Sequence, residues 1–140
     1  MAGILSKGIT LSYKVLEALT PLTDLLEIPA LGGKADKVEV TGLSDASKKY
    51  INGLIDYGDL EFKFLYDNST ATSNYRVLKD MQTAETDEEF VITFPDSTEF
   101  AFSGAVSVTI DAAKPGDALQ FTLSITPSTD IVPTNPTVIP

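Results

Sequence analysis

The sequence predicts a mainly β protein, an antiparallel β-sandwich or barrel with one flanking α-helix and extended N- and C-terminal arms. Two observations support this fold class. Six segments alternate apolar and polar residues with a period of two, which is typical of half-buried strands. Proline, glycine and aspartate cluster between several of these segments and predict tight turns. The 140 residues suit a single domain spanning 1–140, and the sequence contains no internal repeat.

The strands follow from the alternation. They are predicted at Ile9–Glu17, Lys37–Gly42, Asp59–Tyr66, Phe90–Phe94, Glu99–Ile110 and Leu119–Thr126. Turn-forming residues at Pro95–Thr98 and Lys114–Asp117 separate the last three segments. We therefore predict that these three strands form an antiparallel meander.

The segment Glu99–Ile110 is longer than the usual strand of about five to six residues. One of its faces is apolar and is assigned to the core. The other face is small and polar and carries no basic residue; it consists of Glu99, Ala101, Ser103, Ala105, Ser107 and Thr109. In an isolated domain this face is simply solvated, but strands joined edge to edge from several copies would make it a smooth wall.

Two helices and two irregular segments complete the prediction. A helix is expected at Thr72–Gln82, and a shorter one at Asp45–Leu54, with Asp45 as its cap and Gly53 near its end. Residues 18–37 are predicted to be a flexible, extended connection, and 127–140 a C-terminal arm. The arm offers four apolar side chains that a neighbouring molecule could bury: Ile131, Val132, Val138 and Ile139.

The composition argues against most enzyme chemistry. The chain has no cysteine and no histidine, which removes thiol catalysis, disulfides and the commonest imidazole proton carrier and metal ligand. Asp59 and Glu61 lie two apart on one strand face, as a glycosidase pair might, but a solvated surface explains them better. The acidic run Asp87–Glu89 lacks the spacing of a calcium loop. We predict a non-enzymatic protein without a cofactor or metal.

The charge is unevenly distributed. Residues 80–140 hold ten acids and one base, whereas residues 1–79 hold ten acids and nine bases, for a net charge of −10. Such an acidic surface does not hold nucleic acid through phosphate contacts. No apolar run approaches the length of a membrane span, so we expect no membrane partner.

Three stretches of the chain, residues 42–60, 90–108 and 121–128, resemble the tail tube subunits of long-tailed bacteriophages, the siphophages. The likeness departs at Ser97, where many members of that family have glycine in the hairpin. The resemblance implies a β-sandwich with one flanking helix that forms hexameric rings. It implies that the rings stack into a hollow tube through which DNA passes without specific binding.

The resemblance also implies partners and a location. The partners would be further copies of the chain and other tail proteins such as the tape measure, tip and terminator. The protein would be made in the host bacterial cytoplasm and used in the virion tail.

The same resemblance implies roles for individual residues. The residues expected to face the lumen are Glu99, Ser103, Ser107, Gln120, Asp59 and Glu61. Contacts between subunits are expected from the loop that contains Asp67 and Asn68, from the acidic loop Thr83–Glu89 and from the C-terminal arm. The acidic residues concerned are Glu85, Asp87, Glu88 and Glu89. The alternative is an immunoglobulin-like binding module or capsid-decoration module, which predicts an exposed apolar patch and no self-assembly.

Overall fold

The computed structural model describes residues 7–15, 18–31 and 34–136. In chain order, the elements are the strands Thr10–Val15 (β1), Ala18–Pro21 (β2), Leu25–Glu27 (β3), Lys34–Glu39 (β4), Tyr50–Asp56 (β5) and Leu60–Leu65 (β6), the helix Asn74–Ala84 (α1), and the strands Glu88–Thr93 (β7), Glu99–Ile110 (β8), Gln120–Pro127 (β9) and Val132–Thr134 (β10). The predicted fold class, mainly antiparallel β with one helix, is confirmed. No helix in these ranges is long and apolar enough to cross a membrane.

Eight strands form one antiparallel sheet in the order β2-β1-β7-β8-β9-β6-β3, and β10 also pairs with β8. The predicted meander is β7-β8-β9, and the long strand β8 has the predicted bounds. In the turn between β7 and β8, Ser97 has a φ of 74°, and the Asp96 carboxylate accepts a hydrogen bond from the Thr98 N–H at 3.0 Å. The second turn is closed by the Asp117 N–H donating to the Lys114 carbonyl at 3.1 Å.

The sheet curls until its two ends meet. The end strands β2 and β3 are joined by residues 22–24, which span at most roughly 15 Å. Seven strands laid flat would separate those ends by about 29 Å, since neighbouring strands lie about 4.8 Å apart. The linker itself bridges the gap, because the Leu22 N–H donates to the Leu11 carbonyl and the Leu65 N–H donates to the Asp24 carbonyl. The result is a barrel-like sandwich.

The core fills this curled sheet, and the alternation of each strand sorts its side chains. In β6, Leu60, Phe62 and Phe64 are buried, while the residues between them are exposed. The Phe64 and Phe121 rings stack with their centroids 5.2 Å apart. Aromatic side chains bury the most area per residue, so they supply much of the stability of a chain of this size.

Helix α1 packs beside the second half of β8, beyond the point where the pairing with β7 ends. Leu78 and Met81 face the core, and the Gln82 side-chain carbonyl accepts the Val108 N–H at 2.9 Å. The helix thus satisfies a backbone donor that β7 leaves unpaired. The predicted helix Thr72–Gln82 is confirmed, with a shift of two residues at each end.

The predicted helix at Asp45–Leu54 is wrong. Residues 50–56 form β5, which pairs with β4 in a separate two-stranded sheet. Ile51 and Ile55 are four residues apart, a spacing that suits one face of a helix and equally one face of a strand. Their β-branched side chains favour the strand. The Asp45 carboxylate closes a loop by accepting the Gly42 N–H at 2.7 Å, and so does not cap a helix.

The connection expected at residues 18–37 contains two short strands, β2 and β3, and the start of β4. The C-terminal arm also has a partner in its own chain, which the sequence analysis missed. After β9, the chain continues along β8 as β10, with Val132 opposite Ala101 and Thr134 opposite Glu99. Both segments were missed because strands of three or four residues are too short to show a period.

Candidate assembly surfaces

A polar face covers one side of the sheet. Ser107 on β8 pairs with Ser124 on β9, and Ser124 pairs with Glu61 on β6, so these three side chains lie in one row. The structure places all six residues predicted to line a lumen on this face: Glu99, Ser103, Ser107, Gln120, Asp59 and Glu61. Their position on one face follows from the strand register; their orientation towards a lumen stays a prediction.

The polar face carries bases that the analysis of β8 alone did not reveal. Lys14 on β1 lies 3.6 Å from the Glu89 carboxylate, and Lys63 on β6 lies 3.8 Å from the Asp111 carboxylate. These pairs are partly exposed, so each adds little to stability. Each of these two lysines is offset by its partner carboxylate. Asp59, Glu61 and Glu99 take no part in either pair, so the face keeps a net negative charge.

The C-terminal arm borders this face. Ile131 is buried in the core of its own chain, which corrects its assignment to a neighbouring subunit. Val132 is exposed and remains available to a neighbour. With Leu19 and Ala101, it lines an open groove of about 520 Å³. The predicted contacts Val138 and Ile139 lie outside the described residues.

The loop between β6 and α1 has a fixed shape. The Asp67 carboxylate accepts hydrogen bonds from the Ser69 hydroxyl at 2.7 Å and the Ser69 N–H at 3.1 Å, which lower the pKa of this aspartate. The Asn68 side-chain carbonyl accepts the Arg76 Nε–H at 2.8 Å. Asp67 and Asn68 are therefore half-buried in local contacts, and their role between subunits stays a prediction.

The acidic loop is shorter than expected. The helix ends at Ala84 and β7 begins at Glu88, so only residues 85–87 form the loop. Glu85 and Asp87 are exposed there. Glu88 and Glu89 belong to β7, which corrects their placement, and Glu89 faces Lys14 on the polar face. Among the described residues, no cluster of acidic side chains is arranged to hold a metal ion.

The β4-β5 hairpin, residues 34–56, holds seven of the twelve exposed large hydrophobic side chains of the described residues, a concentration that the helix prediction did not anticipate. Cross-strand pairing puts Val38 opposite Ile51 and Ala35 opposite Ile55, and Val40 follows on the same side. Val38, Val40, Ile51 and Ile55 are each about half exposed. We call these five residues the apolar hairpin face. None of the described hairpin side chains belongs to the core cluster of the barrel.

The period-two signal for this hairpin was present in the sequence. Reading residues 50–55 as alternating Ile51, Gly53 and Ile55 against Tyr50, Asn52 and Leu54 gives an apolar row and a mixed row. Gly53 looked like a helix end. It lies opposite the register shift in β4, where an added Cβ would approach the Val38 methyl group to 3.1 Å.

Comparison with known proteins identifies the fold. The sequence matches no protein-family model and no curated protein. A chain in the tail of an empty gene transfer agent particle, computed with C6 symmetry, superposes with a TM-score of 0.76 at 13% identity, over 94% of this chain and 99% of that one. A chain of the anti-feeding prophage baseplate, 6-fold symmetrised, superposes with a TM-score of 0.72 at 12% identity, over 96% and 97%. At these identities the likeness shows that the chain has the fold of proteins from tail and baseplate assemblies.

A chain from the virion of a native gene transfer agent particle is also similar. It has a TM-score of 0.69 at 14% identity, over 94% of this chain and 99% of that chain. In all three cases the likeness runs over nearly the whole length of both chains. It therefore includes the region of the hairpin as well as the barrel.

Proposed function

We propose that this chain is a non-enzymatic structural subunit of a phage-type tail that associates with itself. The copies form hexameric rings, and the rings stack into a hollow tube of the siphophage kind through which DNA passes. One observation carries the proposal: the fold is shared with chains of six-fold symmetric tail and baseplate assemblies. The apolar hairpin face, which no described residue of the barrel core covers, supplies a surface for contact with a further copy, although a binding module would also expose such a patch.

An isolated two-stranded hairpin is only marginally stable in water. Here the hairpin exposes a contiguous row of aliphatic side chains, whereas soluble monomers rarely expose such patches without a partner. Covering the row with another copy removes it from water and stabilises the hairpin. The fold is shared with chains of six-fold symmetric assemblies, which makes a ring of identical copies the favoured partner.

We assign the polar face to the lumen. Its six predicted residues present three carboxylates, two serine hydroxyl groups and the Gln120 amide, and Lys14 and Lys63 on the same face are each paired with an acid. Such a wall repels phosphates, so DNA slides along it without being held. The exposed acids of the 85–87 loop, the Asp67–Asn68 loop and Val132 would then meet neighbouring copies or other tail proteins such as the tape measure, tip and terminator. The location would be the virion tail.

Sedimentation velocity on matched variants tests the self-association. Ile51→Ser removes one side chain from the apolar hairpin face, and Ile110→Ser removes the same side chain at similar exposure from the end of β8; the two residues are 55% and 47% exposed. We expect Ile51→Ser to raise the concentration needed for assembly by about tenfold or more, and Ile110→Ser to change it little. If Ile51→Ser and Ile110→Ser change the assembly concentration equally, the apolar hairpin face is not the surface through which the copies associate. A wild-type chain that stays monomeric at every concentration would favour the binding module instead.

A charge reversal tests the lumen. Tubes of Glu99→Lys should retain short duplex DNA at low salt, whereas wild-type tubes should not. Asp117→Lys makes the same change of two charge units on the exposed loop between β8 and β9 and serves as the control. Retention by the control and not by Glu99→Lys would place Glu99 outside the lumen.

A further inference from the structure

The tip of the β4-β5 hairpin is held in one shape by a carboxylate. Asp45 accepts the Gly42 N–H at 2.7 Å through Oδ2 and the Lys49 ammonium at 3.1 Å through Oδ1. The Asp45 N–H also donates to the Gly42 carbonyl at 3.1 Å. The Gly42 N–H and the Lys49 ammonium both lower the pKa of Asp45, so the carboxylate is charged at neutral pH.

The base of this loop is closed by further hydrogen bonds. The Lys49 N–H donates to the Thr41 hydroxyl at 2.9 Å, and the Val40 N–H donates to the Lys49 carbonyl at 2.8 Å. These bonds join the two ends of the loop and tie Asp45 to Gly42 and Lys49 within one chain. A preordered loop loses little conformational entropy on binding, which favours affinity.

Leu43 belongs to this loop between β4 and β5. Its side chain is fully exposed, at 111% of the reference value, the highest among the exposed large hydrophobic residues that the structure describes. A local role in the chain would bury at least part of a leucine, and the structure buries none of this one. The hydrogen bonds of the loop therefore hold a backbone segment whose leucine side chain is exposed to solvent.

Charge favours a second copy of this chain as the partner. The hairpin, residues 34–56, holds four acids and four bases and is neutral, whereas the rest of the chain holds sixteen acids and six bases. Lys48, on the same loop as Leu43, is exposed and has no carboxylate partner among the described ion pairs, whereas Lys49 is paired with Asp45. A neutral hairpin with a basic tip is attracted to the acidic body of another copy. The apolar hairpin face lies on the two strands that this loop connects.

We propose that Leu43 is the anchor by which the hairpin tip binds a second copy, and that Asp45 is the positioning residue that holds it out. This inference rests on the self-association proposed above. It adds that one exposed side chain on the hydrogen-bonded loop, and not only the hairpin strands, determines the strength of the contact.

The chain has no cysteine, so Ser44→Cys, on the exposed residue next to Leu43, gives a single thiol that can carry a maleimide photo-crosslinker while Leu43 itself is kept. Irradiated assemblies should contain dimers crosslinked through position 44, and peptide mapping should place the other end of the link on a different copy. Ala113→Cys, on the exposed loop after β8, is the matched control and should give fewer crosslinks. Links confined to the same copy, or no excess over the control, would overturn the anchor.

Two substitutions measure the strength of the contact by sedimentation velocity. Leu43→Ser should weaken self-association by about 10- to 100-fold, since the buried leucine contribution is lost. Asp45→Ala should weaken it too, because the loop is no longer held, while thermal unfolding of the barrel stays as in wild type. If wild-type protein assembles and Leu43→Ser assembles equally well, the anchor is wrong and the proposed function stands. If wild-type protein does not assemble, the proposed function fails.

Discussion

Gly104 is the position where the barrel leaves no room for a side chain, and Gly104→Ala is therefore a sharp test of its packing. Gly104 lies in β8 between Glu88 of β7 and Pro127 of β9. A Cβ built there would clash with the Thr126 carbonyl oxygen and would come within 2.8 Å of the Ile125 side-chain methyl group. The Thr126 oxygen is backbone and cannot rotate away, so β9 itself would have to move.

The size of the effect follows from two opposing terms. Overpacking of a well-filled interior costs about 1–3 kcal/mol. Replacing glycine by alanine recovers about 0.4–1 kcal/mol, because the unfolded chain loses some of its freedom. We expect a net loss of about 1–2 kcal/mol in the free energy of unfolding, which lowers the melting temperature by roughly 3–8 °C in a domain of this size.

Urea unfolding followed by circular dichroism measures this loss, at protein concentrations low enough to keep the chain monomeric. Ala105→Ser, the next residue on the exposed face of β8, is the control and should change the free energy of unfolding by less than about 0.5 kcal/mol. A Gly104→Ala protein as stable as wild type, or more stable, would refute the close approach of β8 and β9 at this point.

Three further predictions concern turns and the helix start. Ser97→Gly should raise the free energy of unfolding by about 0.5–1 kcal/mol, because Ser97 has a positive φ of 74° that glycine adopts without strain; a lower urea midpoint would contradict this. Asn74→Ala should lower it by about 2–3 kcal/mol in the same assay, since the buried amide donates to the Thr23 and Leu65 carbonyls, each at 2.9 Å, and both would lose their donor. The Thr98 N–H lowers the pKa of Asp96, so this carboxylate should stabilise the turn fully above its ordinary pKa of 3.8 and lose that effect as the pH falls through the lowered value. The difference in unfolding free energy between wild type and Asp96→Ala should shrink in acid; a difference that grows as the pH falls would contradict the sign.

Period-two alternation was enough to predict the barrel strands, because one side of each is buried against a common core. In β6 and β8 the pattern of the sequence and the pattern of burial agree residue by residue over most of the strand. The turn at Asp96 and Ser97 was also predictable, since short-range hydrogen bonds of aspartate define it. The same logic failed for β2, β3 and β10, whose three or four residues are too few to show a period.

The candidate surfaces were harder to predict, because they depend on which strands become neighbours. The bases on the polar face come from Lys14 and Lys63, which are far from β8 in sequence and reach it only through the strand order. The hairpin was misread because Asp45 and Gly53 look like the cap and the end of a short helix. Its exposure could not be foreseen either: an apolar row in a sequence predicts burial, and only the structure shows that the barrel does not cover this one.

Negative-stain electron microscopy of the purified protein over a concentration series tests the central claim, self-assembly into a tube, most directly. We expect rings or hollow tubes whose end-on class averages show six-fold rotational symmetry, and we expect Ile51→Ser to need a concentration about tenfold higher or more to form them. Isolated globular particles at every concentration, with wild type and Ile51→Ser indistinguishable, would contradict the claim.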